Sequence, residues 1–146
     1  MSQLLKFPDG FLWGSATSSH QVEGGNHNDW SEWERSPQRV AALQSRGENP
    51  ELFVSGRACD SWNRFDEDVR ILKELNQKAY RFSIEWSRVE PEEGKIDFDV
   101  IQRYTYFVKT LCDAGIEPIV TLWHFTNPVW IQKRGGWVNS TTPDAL

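Results

Sequence analysis

Three short clusters in the chain have residue types that could do chemistry. The first is His20-Gln21-Val22-Glu23, the second groups Arg81 with Glu85, Trp86 and Arg88, and the third is Trp123-His124-Phe125-Thr126-Asn127. The first and third follow a small-residue or apolar stretch of strand length, and the second begins at Arg81 within one and continues past it, so all three are expected toward strand ends. Gln, Arg, His and Asn beside Trp supply fixed hydrogen-bond donors and acceptors around an aromatic face. That set suits a neutral polyhydroxyl ligand better than a phosphate. His20, Glu23 and His27 also invite a metal reading, but their three-then-four spacing needs a helix, and Gly24-Gly25 interrupts it. No metal or other cofactor is expected.

The elements that must position these clusters alternate in kind. Gly10-Phe11-Leu12-Trp13-Gly14 reads as a short buried strand, ended by the small residues Ser15 to Ser19. From Glu23 to Cys59 the chain carries Gly24-Gly25, Pro37, Gly47, Pro50 and Gly56 with no sustained period, which reads as a long excursion, functional or partly mobile. Asp60 is an N-cap candidate for a helix ending near Asn76, with Trp62, Phe65, Val69 and Leu72 at helical spacing and Ile71 and Leu75 widening the stripe. Ala79 to Ile84 reads as a second strand. Asp97 or Asp99 then caps a second helix carrying Val100, Ile101, Tyr104, Phe107, Val108 and Leu111, which closes on Ala114-Gly115. Ile116 to Leu122 is mostly apolar and reads as a third strand, and Pro143-Asp144-Ala145-Leu146 resembles the first turn of another helix.

Strand, helix, strand, helix, strand implies an α/β fold with a parallel sheet and right-handed crossovers. A doubly wound sheet and an eightfold barrel both fit that order. No G-x-G-x-x-G or G-x-x-x-x-G-K-[ST] loop follows the first strand, so the nucleotide-binding version loses its main support. The favoured reading is about three βα units of a TIM (β/α)8 barrel, a fold that takes about 250 residues when complete.

Composition narrows the partners. The 146 residues carry 16 Lys plus Arg against 21 Asp plus Glu, a formal net charge of −5, with no basic cluster. Nucleic acid and membrane surfaces are poor matches to that balance. Apolar runs are far shorter than the roughly 20 residues of a membrane helix, and Met1 to Gly10 shows no uninterrupted apolar leader, so a cytoplasmic protein is expected. Cys59 and Cys112 stand 53 positions apart without a C-x-x-C partner and are expected to be free thiols. The sequon Asn139-Ser140-Thr141 would matter only in a secreted protein. The anomaly is aromatic: 8 Trp, 8 Phe and 3 Tyr exceed what a core of this size needs, and flat sugar faces are one natural partner for the surplus.

The segment Phe11 to Gly25, FLWGSATSSHQVEGG, resembles the N-terminal signature of glycoside hydrolase family 1, the retaining β-glucosidase and β-galactosidase family. Three further blocks occur in that family's order: Lys73 to Arg88 (KELNQKAYRFSIEWSR), Ala114 to His124 (AGIEPIVTLWH) and Gly135-Gly136-Trp137. The resemblance implies that Gln21 hydrogen-bonds two hydroxyls of the sugar at the cleaved subsite, that His124 binds one of the same hydroxyls and that Trp123 lines the subsite. It further implies that Arg81 sits against the nucleophilic carboxylate and holds it ionised. Taken singly, Gln21 could cap a turn, His124 could be a satisfied core histidine and Arg81 a strand-end ion pair. Three in register at successive strand ends favour the site.

The departure from the family pattern is large. Its acid/base glutamate follows strand four in a Thr-x-Asn-Glu-Pro type motif and its nucleophile follows strand seven in a Glu-Asn-Gly type motif, and neither occurs in these residues. Retention needs both carboxyl groups, about 5 to 5.5 Å apart. Residues 1–146 are therefore expected to be an incomplete barrel domain ending near the start of the third barrel helix, inactive in isolation and prone to self-association through exposed barrel edges. The expected substrate of the full-length protein is a β-linked sugar or aryl glycoside. Glu85, near Arg81, is a weak candidate for a substitute carboxylate. Asp29-Trp30-Ser31-Glu32-Trp33 resembles the family's first loop, while Val40 to Glu51 has no counterpart. The rival function is a non-catalytic sugar-binding or assembly module derived from a partial barrel.

Overall fold

The computed structural model describes residues 5–146; the start of the stretch read for an apolar leader, Met1 to Leu4, lies outside the described residues. Three parallel strands, β1 (Gly14–Ala16), β2 (Ala79–Ser83) and β3 (Glu117–Thr121), form one sheet in the order β1-β2-β3. Between β1 and β2 lie α1 (Ser19–Val22), α2 (Asp29–Glu34), α3 (Pro37–Gln44) and α4 (Phe65–Glu74). Between β2 and β3 lie α5 (Trp86–Val89) and α6 (Phe98–Asp113), and α7 (Val129–Lys133) follows β3. Among the described residues no helix is long and apolar enough to cross a membrane.

The core sits on one face of the sheet. Successive strand residues point to opposite faces, so Tyr80 and Phe82 of β2 turn together onto α4 and α6, meeting Phe65, Val69, Leu72, Phe107 and Leu111. Phe65 stacks on Phe107 with ring centroids 4.1 Å apart, and Phe82 meets the same ring edge-on at 4.8 Å. Burying each such side chain contributes about 1.5–3 kcal/mol. Arg81 and Ser83 occupy the other face, the one a closed barrel would turn inward.

The second βα unit forms as its sequence dictates. The Asp97 carboxylate accepts the N–H groups of Asp99 and Val100 and so caps α6, and Gly115 adopts a left-handed φ of +72° that stops the helix. The helix before it departs from expectation at its start. Asp60 does not cap α4. It lies in the left-handed region and spends its carboxylate on Arg57 and Asn63, while Trp62 belongs to a separate 3-10 turn, Ser61–Asn63. At the other end Asn76 takes a φ of +53° one residue beyond the Leu75 cap, so the helix stops at Glu74.

The first strand lies further along the chain than Gly10–Gly14, and it is exposed, not buried. A Cβ on Gly14 would lie 2.4 Å from the Ala79 carbonyl oxygen, so this glycine belongs inside the ladder, where two backbones approach closely. Phe7, Phe11 and Trp13 form an aromatic cluster ahead of the strand, with ring centroids 4.5 to 5.0 Å apart. The Glu23 to Cys59 excursion is likewise more ordered than its composition implies. Asn28 and Ser31 exchange side-chain and backbone hydrogen bonds in a capping box that starts α2, and Ser36-Pro37 starts α3. Cys59 and Cys112 are exposed free thiols.

Candidate functional site

Apart from Arg81, which lies within β2, the residues of the three clusters stand beyond the carboxyl ends of the strands. After β1, the Thr17 N–H continues the ladder to the Arg81 carbonyl, and the chain turns at once into α1. Within that turn the Ser18 hydroxyl donates to Gln21 Oε1 at 2.8 Å, which fixes the amide and leaves its N–H groups for a ligand. His20 is held at both ring nitrogens. Asn28 Nδ2 donates to Nδ1 at 3.1 Å, so Nε2 carries the hydrogen and donates to Glu34 Oε1 at 3.2 Å. Glu34 in turn accepts the N–H and hydroxyl of Ser55.

After β3 the backbone is strained where it presents His124. Phe125 has a φ of +68°, and the Thr126 N–H closes a three-residue turn onto the His124 carbonyl at 2.9 Å. Such a turn is rare for a bulky residue and persists only where its surroundings fix it. Asn127 supplies that fixation: its N–H and amide donate to the Asp29 carboxylate at 2.9 and 2.7 Å, and its Oδ1 accepts both the Trp123 and the Trp137 indole N–H groups. Trp123 and Trp137 meet edge-to-face at 4.7 Å.

Gln21 and His124 line one cavity of about 270 Å³, together with Ser18, His20, Trp30, Phe125 and Thr126. Trp30 and Phe125 are exposed rings flanking polar groups, the arrangement a sugar ring needs. A larger cavity of about 530 Å³ opens elsewhere, around Gly24-Gly25, Gly56-Arg57 and Trp62, and of the three clusters only Arg88 reaches it. The smaller cavity is the candidate site because it sits at the strand ends. Trp123 and Arg81 are not among its lining residues: Trp123 braces the loop through Asn127, and Arg81 Nη1 donates to the Thr17 carbonyl at 2.6 Å. Phe125 came with the third cluster but without a role, and Trp30, noted only within Asp29 to Trp33, is a cavity residue that the clusters did not include. The metal trio is dispersed: His20 holds Asn28 and Glu34, Glu23 holds Arg88 and Tyr104, and exposed His27 lies 3.5 Å from Glu32. Among the described residues no group of three or more His, Cys, Asp or Glu side chains is placed to hold a metal ion.

Beneath the site Glu23 is buried, 2.9 Å from Arg88 Nε and accepting the Tyr104 hydroxyl at 2.7 Å. Burial pushes its carboxyl up to about 7, outweighing the downward pull of Tyr104 and Arg88. The folded chain thus holds a proton that an unfolded glutamate, titrating near 4.5, has already released between pH 4.5 and 7. Over that interval stability falls as pH rises, by at most about 1.4 kcal/mol per pH unit. In the full-length protein the melting temperature should therefore decline more steeply from pH 5 to 7 than in Glu23→Gln. Parallel profiles for the two would show that Glu23 carries no such proton.

A three-stranded parallel sheet with helices on one face and a polar, aromatic-walled cavity at the strand carboxyl ends defines three βα units of a TIM barrel. The chain belongs to glycosyl hydrolase family 1, whose family model matches residues 3–146. It is 38% identical over 146 residues to Beta-glucosidase A of Thermotoga maritima, covering 95% of this chain and 31% of that protein. It is 35% identical to 6-phospho-beta-glucosidase GmuD of Bacillus subtilis, covering 99% of this chain and 31% of that one. Among solved structures, a beta-glucosidase from Thermotoga maritima in complex with castanospermine superposes with a TM-score of 0.83 at 38% identity, over 95% of this chain and 31% of that one. A beta-glycosidase from Pyrococcus horikoshii gives 0.78 at 44% identity, over 92% and 29%. The chain thus spans about a third of the length of these relatives.

Proposed function

We propose that this chain is the part of a retaining β-glycosidase that binds the sugar at the cleaved bond, and that the full-length protein hydrolyses O-glycosyl bonds of β-glucosides or aryl β-glycosides. The observation that carries this reading is the single cavity lined by both Gln21 and His124. Gln21, its amide fixed by Ser18, offers N–H donors to adjacent hydroxyls, and His124, lining the same cavity, offers a ring nitrogen. Trp123 shapes the subsite through the Asn127 brace, and Arg81 stands on the barrel-inward face, where a nucleophilic carboxylate would be kept ionised. Residues 1–146 form the first barrel units, to near the third barrel helix. The acid and nucleophile, about 5 to 5.5 Å apart, come from strands outside them and act by double displacement. No cofactor, nucleic acid or membrane takes part. Exposed thiols at Cys59 and Cys112 favour a reducing compartment, the cytoplasm.

In the full-length protein, Gln21→Ala or His124→Ala should lower kcat/KM for an aryl β-glucoside by at least about tenfold, because each removes a partner of a buried hydroxyl whose contact strengthens in the transition state. The fold should survive both changes. Unchanged kinetics in both variants would return the two residues to structural roles and favour the non-catalytic module. Reading the coding sequence beyond Leu146 for an Asn-Glu-Pro type motif gives an independent check.

A further inference from the structure

Glu85 follows β2 and has no exposed surface, yet no ion pair among the described residues neutralises it. Its two oxygens are filled by neutral donors from four separate places in the chain. Oε2 accepts the Ser19 hydroxyl at 2.9 Å and the Thr126 hydroxyl at 3.1 Å. Oε1 accepts Asn28 Nδ2 at 3.1 Å, the Ser87 hydroxyl at 2.7 Å and, at 3.2 Å, the Thr126 hydroxyl again. The backbone of Glu85 is itself tied to the core, since its N–H donates to the buried Tyr104 hydroxyl on α6 at 2.9 Å.

The donors are placed to a purpose. Ser19 lies two residues before Gln21 on α1, and Thr126 two residues after His124 in the strained turn. Asn28 caps α2, which carries Trp30, and uses the same amide nitrogen to hold His20. Every wall of the 270 Å³ cavity therefore hangs from one carboxylate. A buried unpaired charge is costly, and a hydrophobic side chain would fill the space more cheaply. What a carboxylate adds is the ability to accept from several donors at fixed angles at once.

We propose that Glu85 is a positioning residue that sets the distance between Gln21 and His124 by clamping the loops that carry them. It touches no substrate. The inference rests on the glycoside-binding reading of the cavity, and its test separates the two.

The experiment measures kcat and KM for 4-nitrophenyl β-glucoside in the full-length protein. Glu85→Gln keeps the shape but puts an amide N–H₂ where a hydroxyl or amide now donates, and it should lower kcat/KM by at least about tenfold, mostly in kcat, because small misplacements of binding groups are expensive. Ser19→Ala and Thr126→Val each free one loop and should cost about fivefold. Their effects should not add to those of the residues they position: in a Gln21→Ala background, Ser19→Ala should cost less than about twofold, and likewise Thr126→Val in His124→Ala. Full additivity in both cycles, or a folded Glu85→Gln with kinetics within twofold of the parent, overturns the proposal. If Glu85→Gln does not fold, the two cycles decide alone. If Gln21→Ala and His124→Ala themselves leave the kinetics unchanged, the glycoside reading fails first, and the clamp has nothing to position.

Discussion

Residues 1–146 expressed alone should leave an activated aryl β-glucoside unhydrolysed, at the rate of a buffer blank. An oxocarbenium-like transition state needs a nucleophile on one face of the sugar and an acid at the leaving oxygen. The carboxylates near the cavity are all committed. Glu85, the sequence's one candidate substitute, is fully buried and saturated by Ser19, Asn28, Ser87 and Thr126. Glu34 is held by His20 and Ser55, Glu23 by Arg88 and Tyr104, and Asp29 by Asn127. None can swing into the cavity without breaking the loops that form it. The measurement is release of the aryl alcohol over hours at high protein concentration. Turnover that persists through purification and disappears in Glu85→Gln would make Glu85 catalytic and overturn both this expectation and the clamp.

The second βα unit was legible in the sequence because its signals are local. Asp97 caps, Val100 to Leu111 repeat at helical period, Gly115 stops the helix, and a β-branched run follows. The excursion between β1 and β2 was opaque for the opposite reason. Helices α2 and α3 are short and bury little, with Leu43 alone fully covered on α3, so they show no apolar period; their ends are fixed by Asn28, Ser31, Ser36 and Pro37 instead. Asp60 looked like a cap because its type is right, but neighbouring Arg57 and Asn63 compete for its carboxylate and win. Gly14, the last residue of the expected first strand, is instead its first, where it approaches Ala79 closely.

The site divides along the same line. Gln21 and His124 were found as strand-end residues, and a family resemblance gave them roles. Their joint placement in one cavity depends on partners at positions 19, 28, 85 and 126, which no periodicity links. Glu85 could be noticed as a carboxylate beyond a strand, but four of its five hydrogen bonds, from Ser19, Asn28 and Thr126, exist only once β1 and β3 lie on either side of β2, and Ser87 alone is a local donor.

A sheet of three strands leaves β1 and β3 as edges, and the isolated chain should associate through them. The inward face bears Ile119, 50% exposed, and Trp13 just before β1 and Leu122 just after β3 also meet solvent, at 53% and 64%. Phe82, a strand residue, is buried by α4 and α6, so the chain has a true core as well as an open face. The accessible surface states the consequence. It is 9700 Å², whereas a compact monomer of 17.0 kDa exposes about 7700 Å². The excess of about 2000 Å² is of the order that a stable protein interface buries, and unpaired strand edges give it a hydrogen-bonding template. Expressed without further barrel strands, the 146 residues should be insoluble or form a broad, concentration-dependent oligomer that binds an apolar dye. Buried Trp86 should keep a blue-shifted emission while exposed Trp13, Trp30 and Trp33 emit as solvated indoles. A sharp 17.0 kDa monomer by light scattering, with a single cooperative unfolding transition and no dye binding, would show that the three strands close on themselves and need no further barrel.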